Sequence, residues 1–214
     1  MPTRKIPLSY RGHVTGRQSL APGMESVWHE SALERDFVTL SRFDPTVLSV
    51  EHQPVTFRWR GADGRRRRYT PDYRVVRVTG VDLVEVKHRA DLKAEWDALR
   101  PAFEVARKWA MPQGIRFRIV TESAIRTPRL ENAKRLLPRA GDQIDCTVAR
   151  KVTDALSSGR AMPFSKLVDA VSGASTPKAV VLGAVWAMIA NKTLSADMDK
   201  PIDGNTPLTL SEGV

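Results

Sequence analysis

The chain has 214 residues, 42% apolar and 27% charged, a composition that excludes global disorder and allows one or two cores. Its longest apolar run, Ala179–Ala190, falls short of the ~20 residues of a membrane span; the N-terminus lacks an apolar signal core, and the lone Cys146 allows no intramolecular disulfide. The formal charge of +10 points to a polyanionic partner, nucleic acid before membrane, and the single cysteine to a soluble, cytoplasmic protein of a reducing compartment.

The charge is uneven. Residues 1–141 hold 27 basic and 16 acidic side chains, and residues 142–214 hold 7 and 8. The shift coincides with Leu137-Pro138-Arg139-Ala140-Gly141-Asp142, where Pro and Gly break the chain and Asp142 can cap a new helix. This predicts a basic arm over 1–24 (Arg4, Lys5, Arg11, Arg17), one domain over 25–141 and a second over 142–214.

Apolar spacing predicts a helix from Ser26 to about Arg42. Strands are predicted over Val47–Val50, Val55–Trp59, Arg68–Tyr69 with Tyr73–Val78, and Asp82–Val86, with a hairpin turn at Gly61-Ala62-Asp63-Gly64. A helix over Ala90–Ala110, kinked or restarted at Pro101, a strand over Phe117–Val120 and a helix from about Pro128 to Leu137 complete this part. The tail reads as helices Cys146–Leu156, Pro163–Val171 and Thr176–Asn191, then a hairpin of Leu194–Met198 with Leu208–Leu210, a winged-helix-like order. Its third helix is apolar nearly all round, which suits a buried core helix; it carries no Arg, Asn or Gln face of the kind that reads bases. The tail is therefore expected to dock protein. Trp96, Trp109 and Trp186 read as core, and Cys146 as a plain buried thiol.

Chemistry concentrates in Tyr69-Thr70-Pro71-Asp72-Tyr73 and Leu83-Val84-Glu85-Val86-Lys87. On a strand Glu85 and Lys87 share one face while Val84 and Val86 bury the other. Asp72 beside them supplies a second carboxylate, a pair suited to Mg²⁺, with an ammonium to orient an attacking water or steady a phosphate. The copy Asp91-Leu92-Lys93 lies in a polar helix start and is set aside. Residues 58–77 add eight Arg against two Asp, among them Arg65, Arg66, Arg67 and Arg68, placed to clamp phosphates. Gln53 reads either as a hydrogen-bonding support to substrate or carboxylates, or as a structural amide ahead of Pro54. The four histidines show no ligand spacing, although His52 and His88 adjoin Gln53 and Lys87.

Together with Glu30-Ser31-Ala32-Leu33-Glu34-Arg35-Asp36-Phe37, Phe43-Asp44-Pro45 and Glu51-His52-Gln53-Pro54, these motifs resemble the PD-(D/E)xK nuclease superfamily. Within it they look like TnsA, the endonuclease subunit of heteromeric transposases, including those of CRISPR-associated transposons. The resemblance covers about residues 1–141; the tail is similar only in being small and winged-helix-like. It implies an α/β restriction-endonuclease-like core with Glu34, Asp72, Glu85 and Lys87 as active site, and Mg²⁺, for which Mn²⁺ substitutes, held by Glu34, Asp72, Glu85 and Val86. Some members carry Gln at the position of Glu85; here the acid is present. DNA contact is assigned to Lys5, Arg65, Arg66, Arg67, Arg68 and Arg74. The implied activity is an endonuclease that cuts the 5′ ends of a transposon in duplex DNA. A DDE transposase cuts and joins the 3′ ends, and an AAA+ regulator coordinates the two. The rival readings are a stand-alone restriction or repair nuclease of this fold, and a DNA-binding assembly factor without catalysis.

Overall fold

A four-stranded mixed sheet organises the first half of the chain. A computed structural model describes residues 16–19 and 26–211, and the chain divides into two compact units at Arg126/Thr127. The first unit opens with an antiparallel pair, β1 (Gly16–Ser19) and β2 (Ser26–His29), followed by helix α1 (Ala32–Phe43). Ser26–His29 is thus a strand and not a helical turn as the spacing suggested: Val27 and His29 are buried alternately, and their backbones pair with Gln18 and Gly16. Gly16 sits so close to His29 that a Cβ would lie 2.9 Å from its Nε2.

The sheet order is β3 (Val47–His52), β6 (Tyr73–Arg77), β7 (Gly80–Val86), β8 (Ile115–Val120), antiparallel except for the parallel β7–β8 pair. Strands β4 (Phe57–Arg60) and β5 (Arg66–Tyr69) form a separate hairpin, turning at Gly64 with φ 71°, a conformation that favours glycine. Its inner residues Phe57, Trp59 and Tyr69 join a cluster with Leu83 and Ala106.

The predicted helix over 90–110 is two, α2 (Arg89–Ala94) and α3 (Trp96–Ala110), broken at Glu95 while Pro101 is carried inside α3. Trp96 and Trp109 touch Phe103 and Phe57 but stand 42% and 39% exposed, so they cap the core edge instead of filling it. A short helix α4 (Glu122–Ile125) closes the unit.

The division at 126/127, not 141/142, assigns helix α5 (Pro128–Leu136) to the second unit. There Asn132 Nδ2 donates to the Met198 and Lys200 carbonyls at 2.9 and 2.8 Å, while Leu130, Ala133 and Leu136 are buried. Helices α6 (Cys146–Ala155), α7 (Phe164–Val171) and α8 (Lys178–Ala190) follow, with strands β9 (Met162–Pro163), β10 (Leu194–Ser195) and β11 (Pro207–Leu210) in the order β10-β11-β9. The tail hairpin therefore ends short of Met198 and gains a third strand. Asp145, not Asp142, caps α6, accepting from the Thr147 and Val148 N–H groups, and Cys146 beside it is exposed. Helix α8 buries Val181, Val185, Met188 and Ile189 but leaves Val180 and Leu182 open, so one of its apolar faces is not core. No helix among the described residues is long and apolar enough to cross a membrane.

Candidate active site

Strand register brings the predicted residues together. His52 pairs with Tyr73 and Tyr73 with Val84, so one further step sets Gln53, Asp72 and Glu85 in a single row across β3, β6 and β7. The row is tied by hydrogen bonds: Gln53 N–H donates to the Asp72 carbonyl at 2.7 Å, and Val86 N–H donates to Asp72 Oδ2 at 2.7 Å. Gln53 adopts φ 49°, an uncommon conformation for a residue with a side chain, and its Nε2 donates to Glu30 Oε1 at 2.9 Å.

Glu34 arrives from the first turn of α1. Ser31 caps that helix, and Ser31-Ala32-Leu33-Glu34 has the spacing of a capping box. Glu34 Oε1 accepts from the Ser31 hydroxyl at 2.9 Å and Oε2 from the Glu30 N–H at 2.8 Å. The Tyr73 hydroxyl lies 3.3 Å from the same Oε2 and 2.9 Å from the Trp28 carbonyl oxygen. Glu34 is thus a helix-capping residue and a neighbour of the carboxylate row at once.

Buried acids without enough cations resist ionisation. Burial, the Glu85 and Glu34 charges and then Glu30 hold Asp72 well above the ordinary carboxylate range, against the Val86 N–H bond. Glu85 is pushed up to about 7 by burial, with Glu34 adding and the Tyr69 hydroxyl and Lys87 opposing. Burial also raises Glu34, and the Glu30 charge adds to it against the hydrogen bonds from Glu30, Ser31 and Tyr73.

Three groups the sequence did not single out shape this site. The Tyr69 hydroxyl donates to Glu85 Oε2 at 2.6 Å, its own ionisation pushed far up by burial and by Glu85. Glu30 sits between Glu34 and Gln53. Glu95, at the break between α2 and α3, pairs with Lys87, Oε2 to Nζ at 3.0 Å. The tyrosines flank Pro71-Asp72 and the capping box is legible in the sequence. Nothing in the sequence marks Glu95.

The donor chemistry fits a hard divalent ion. Asp72 Oδ1 and Glu85 Oε1 accept no hydrogen bond from the described residues, and a cation would relieve the repulsion that raises both acids. Among the described residues Glu34 Oε1 accepts only the Ser31 hydroxyl and keeps a lone pair for a cation, and Val86, apolar and buried, has only its carbonyl to offer. In this arrangement no group of three or more His, Cys, Asp or Glu side chains among the described residues is gathered for one ion.

His52 is buried, and neither ring nitrogen has a hydrogen-bond partner among the described residues; burial, then the His29 charge, lowers its pKa to about 4. It packs on the Tyr73 ring at 5.5 Å and contributes no donor to the row. His88 faces Glu122, 3.6 Å away, not the carboxylates. Arg65, Arg66, Arg67 and Arg68 are all exposed at the β4–β5 hairpin, and Arg74 pairs with Glu51 at 3.8 Å. Lys5 lies outside the described residues, as does most of the predicted basic arm.

No curated protein matches the chain. A family model does: residues 44–122 match the TnsA-like endonuclease N-terminal domain, a span that holds Gln53, the arginine hairpin, Asp72, Glu85 and Lys87, with Glu34 just before it. Over these residues the chain is similar to the TnsA-like endonucleases, as its motifs led us to expect.

Proposed function

We propose that the protein is a Mg²⁺-dependent DNA endonuclease that hydrolyses phosphodiesters at the 5′ ends of a transposon, acting with a DDE transposase and an AAA+ regulator. The observation that carries the reading is the row of Gln53, Asp72 and Glu85 across three strands, with Lys87 two residues beyond on the same face as Glu85.

Asp72 and Glu85 would hold the cation, with Glu34 and the Val86 carbonyl completing its shell. Bound Mg²⁺ lowers the pKa of water and stabilises charge on phosphoryl oxygens. Tyr69 fixes one oxygen of Glu85 and Val86 N–H fixes one of Asp72, so each acid keeps its other oxygen for the ion. Lys87 orients the attacking water or steadies the phosphate, a role that requires it to share or leave Glu95. Exposed arginines of the β4–β5 hairpin hold the DNA backbone.

The second unit, which we read as winged-helix-like, would dock a protein partner. Val180 on α8 and the loop ahead of α6 line a groove of about 440 Å³, rimmed by Asp142 and Asp145. The test is cleavage of transposon-end duplex by the purified full-length chain in Mg²⁺ and in chelator, alone and with a DDE transposase encoded beside it. Metal-dependent nicking that becomes efficient with the partner is expected. Absence of nicking under every condition, or cutting by Asp72→Ala at the wild-type rate, overturns the reading.

A further inference from the structure

Register sorts the arginines of the β4–β5 hairpin onto two faces. The pairs are Phe57↔Tyr69, Arg58↔Arg68, Trp59↔Arg67 and Arg60↔Arg66. Residues opposite one another in a sheet share a face, and faces alternate along each strand. Phe57, Trp59 and Tyr69 pack on the core, so Arg58, Arg60, Arg66 and Arg68 form a two-by-two grid on the outer face.

The two sets also differ in partners. Asp63, in the turn, pairs with Arg67 at 3.1 Å and with Arg65 at 3.9 Å. Its carboxylate also accepts the Arg65 N–H, which ties both arginines to the turn. The four grid arginines meet no acidic side chain among the described residues; Arg60 only reaches the Gly64 carbonyl at 3.4 Å. They border a groove of about 560 Å³ together with Trp59 and Arg67.

We propose that Arg58, Arg60, Arg66 and Arg68 are the phosphate-gripping face of this protein, and that Arg65 and Arg67 instead hold the turn that presents it. The proposal rests on the DNA-cleaving reading above and assigns its grip to particular side chains. Roots spaced roughly 5 Å across and 7 Å along the ribbon give four guanidinium forks, each able to hold two oxygens of a phosphate. A two-stranded ribbon is of a size that lies along a duplex groove. Four unneutralised cations on one plane match a polyphosphate, and the grid carries no apolar residue that would enter a lipid surface. The hairpin then runs directly through Tyr69 to Pro71 and Asp72, so a phosphate chain held on the grid lies close in sequence to the carboxylate row.

The test measures duplex binding by the full-length chain against salt concentration, in chelator so that nothing is cut. Each phosphate contact contributes about 0.9 to the slope of log affinity on log salt. The quadruple variant R58Q/R60Q/R66Q/R68Q should lose a slope of about 3 to 4, and the quadruple Lys variant should keep most of it. R65Q/R67Q should lose less than about 1. All six side chains are exposed, and unchanged melting temperatures verify folding. An unchanged slope in the Gln quadruple, or an equal loss in R65Q/R67Q, overturns the assignment. So does Gln substitution that abolishes capture by anionic vesicles and leaves duplex binding intact. Failure of the nuclease reading looks different: the grid sets the salt slope, yet the wild type never cuts in Mg²⁺.

Discussion

Strand β7 buries two acids three residues apart, and their surroundings are opposite. Asp82, 2% exposed, lies within 3.8 Å of three guanidinium groups, from Arg77, Arg116 and Arg118, of which Arg116 Nε is nearest at 2.7 Å. Glu85, 8% exposed, faces other carboxylates, with Lys87 the cation nearest in sequence and drawn to Glu95. One strand thus carries a neutralised structural acid at one end and an under-neutralised site at the other. A buried charge that matters only for folding is paired within the chain; one left short of partners is suited to a ligand that supplies the missing charge.

The largest expected effect lies at the under-neutralised end. Asp72→Ala, Glu85→Ala and Lys87→Ala should each lower the cleavage rate by about three orders of magnitude or more, roughly 4 kcal/mol of barrier. Melting temperatures should not fall, because removing either acid relieves repulsion in the metal-free site and Lys87 gives up only a pair with the half-exposed Glu95. Single-turnover cleavage beside thermal melts checks this, and a variant that loses activity only by unfolding would erase the contrast.

Asp82→Ala should do the reverse. It leaves Arg77, Arg116 and Arg118 clustered without their shared acid, Arg77 keeping Asp44 alone, and urea unfolding should show a loss of about 3 kcal/mol. That lies at the low end of the range for buried pairs, since Arg116 and Arg118 are more than half exposed and can rehydrate. Cleavage per folded molecule should be kept.

Glu85→Gln sharpens the comparison through pH. The folded-state pKa of about 7 lies above the ordinary 4.5, so the native state holds this proton more tightly than the unfolded chain. The resulting penalty on folding begins above pH 4.5 and is complete above pH 7. Metal-free Glu85→Gln should therefore be more stable than wild type at pH 8, by up to about 3 kcal/mol, and the gain should vanish near pH 4.5. Mg²⁺ should raise the melting temperature of the wild type more than that of the variant. A stability gain that does not change with pH would show that Glu85 ionises freely.

Tyr69→Phe has the smallest effect, because it removes only the hydroxyl that orients Glu85. A loss of 10- to 100-fold in metal affinity or rate is the usual cost of such an outer partner. It is checked by titrating Mg²⁺ against cleavage. An unchanged metal dependence would mean that the hydroxyl serves packing alone, through its ring contacts with Phe57 and Phe103.

By itself the sequence determined the order of the motifs, the placement of Asp72, Glu85 and Lys87 on or next to the adjoining ends of consecutive strands, and the basic hairpin beside them. These follow from period-two alternation and turn residues, which act locally. It misread Ser26–His29, because an alternating pattern four residues long fits the first turn of a helix as well, and pairing with Gly16–Ser19 decided the matter. Tertiary structure alone put Gln53 opposite Asp72, since β3 and β6 are far apart in the chain and only register aligns them. It also decided which acids are neutralised: Arg116 and Arg118 reach Asp82 across the parallel β7–β8 pair, and Glu95 meets Lys87 where α2 and α3 break. These pairings depend on distance in space, and no spacing along the chain encodes them.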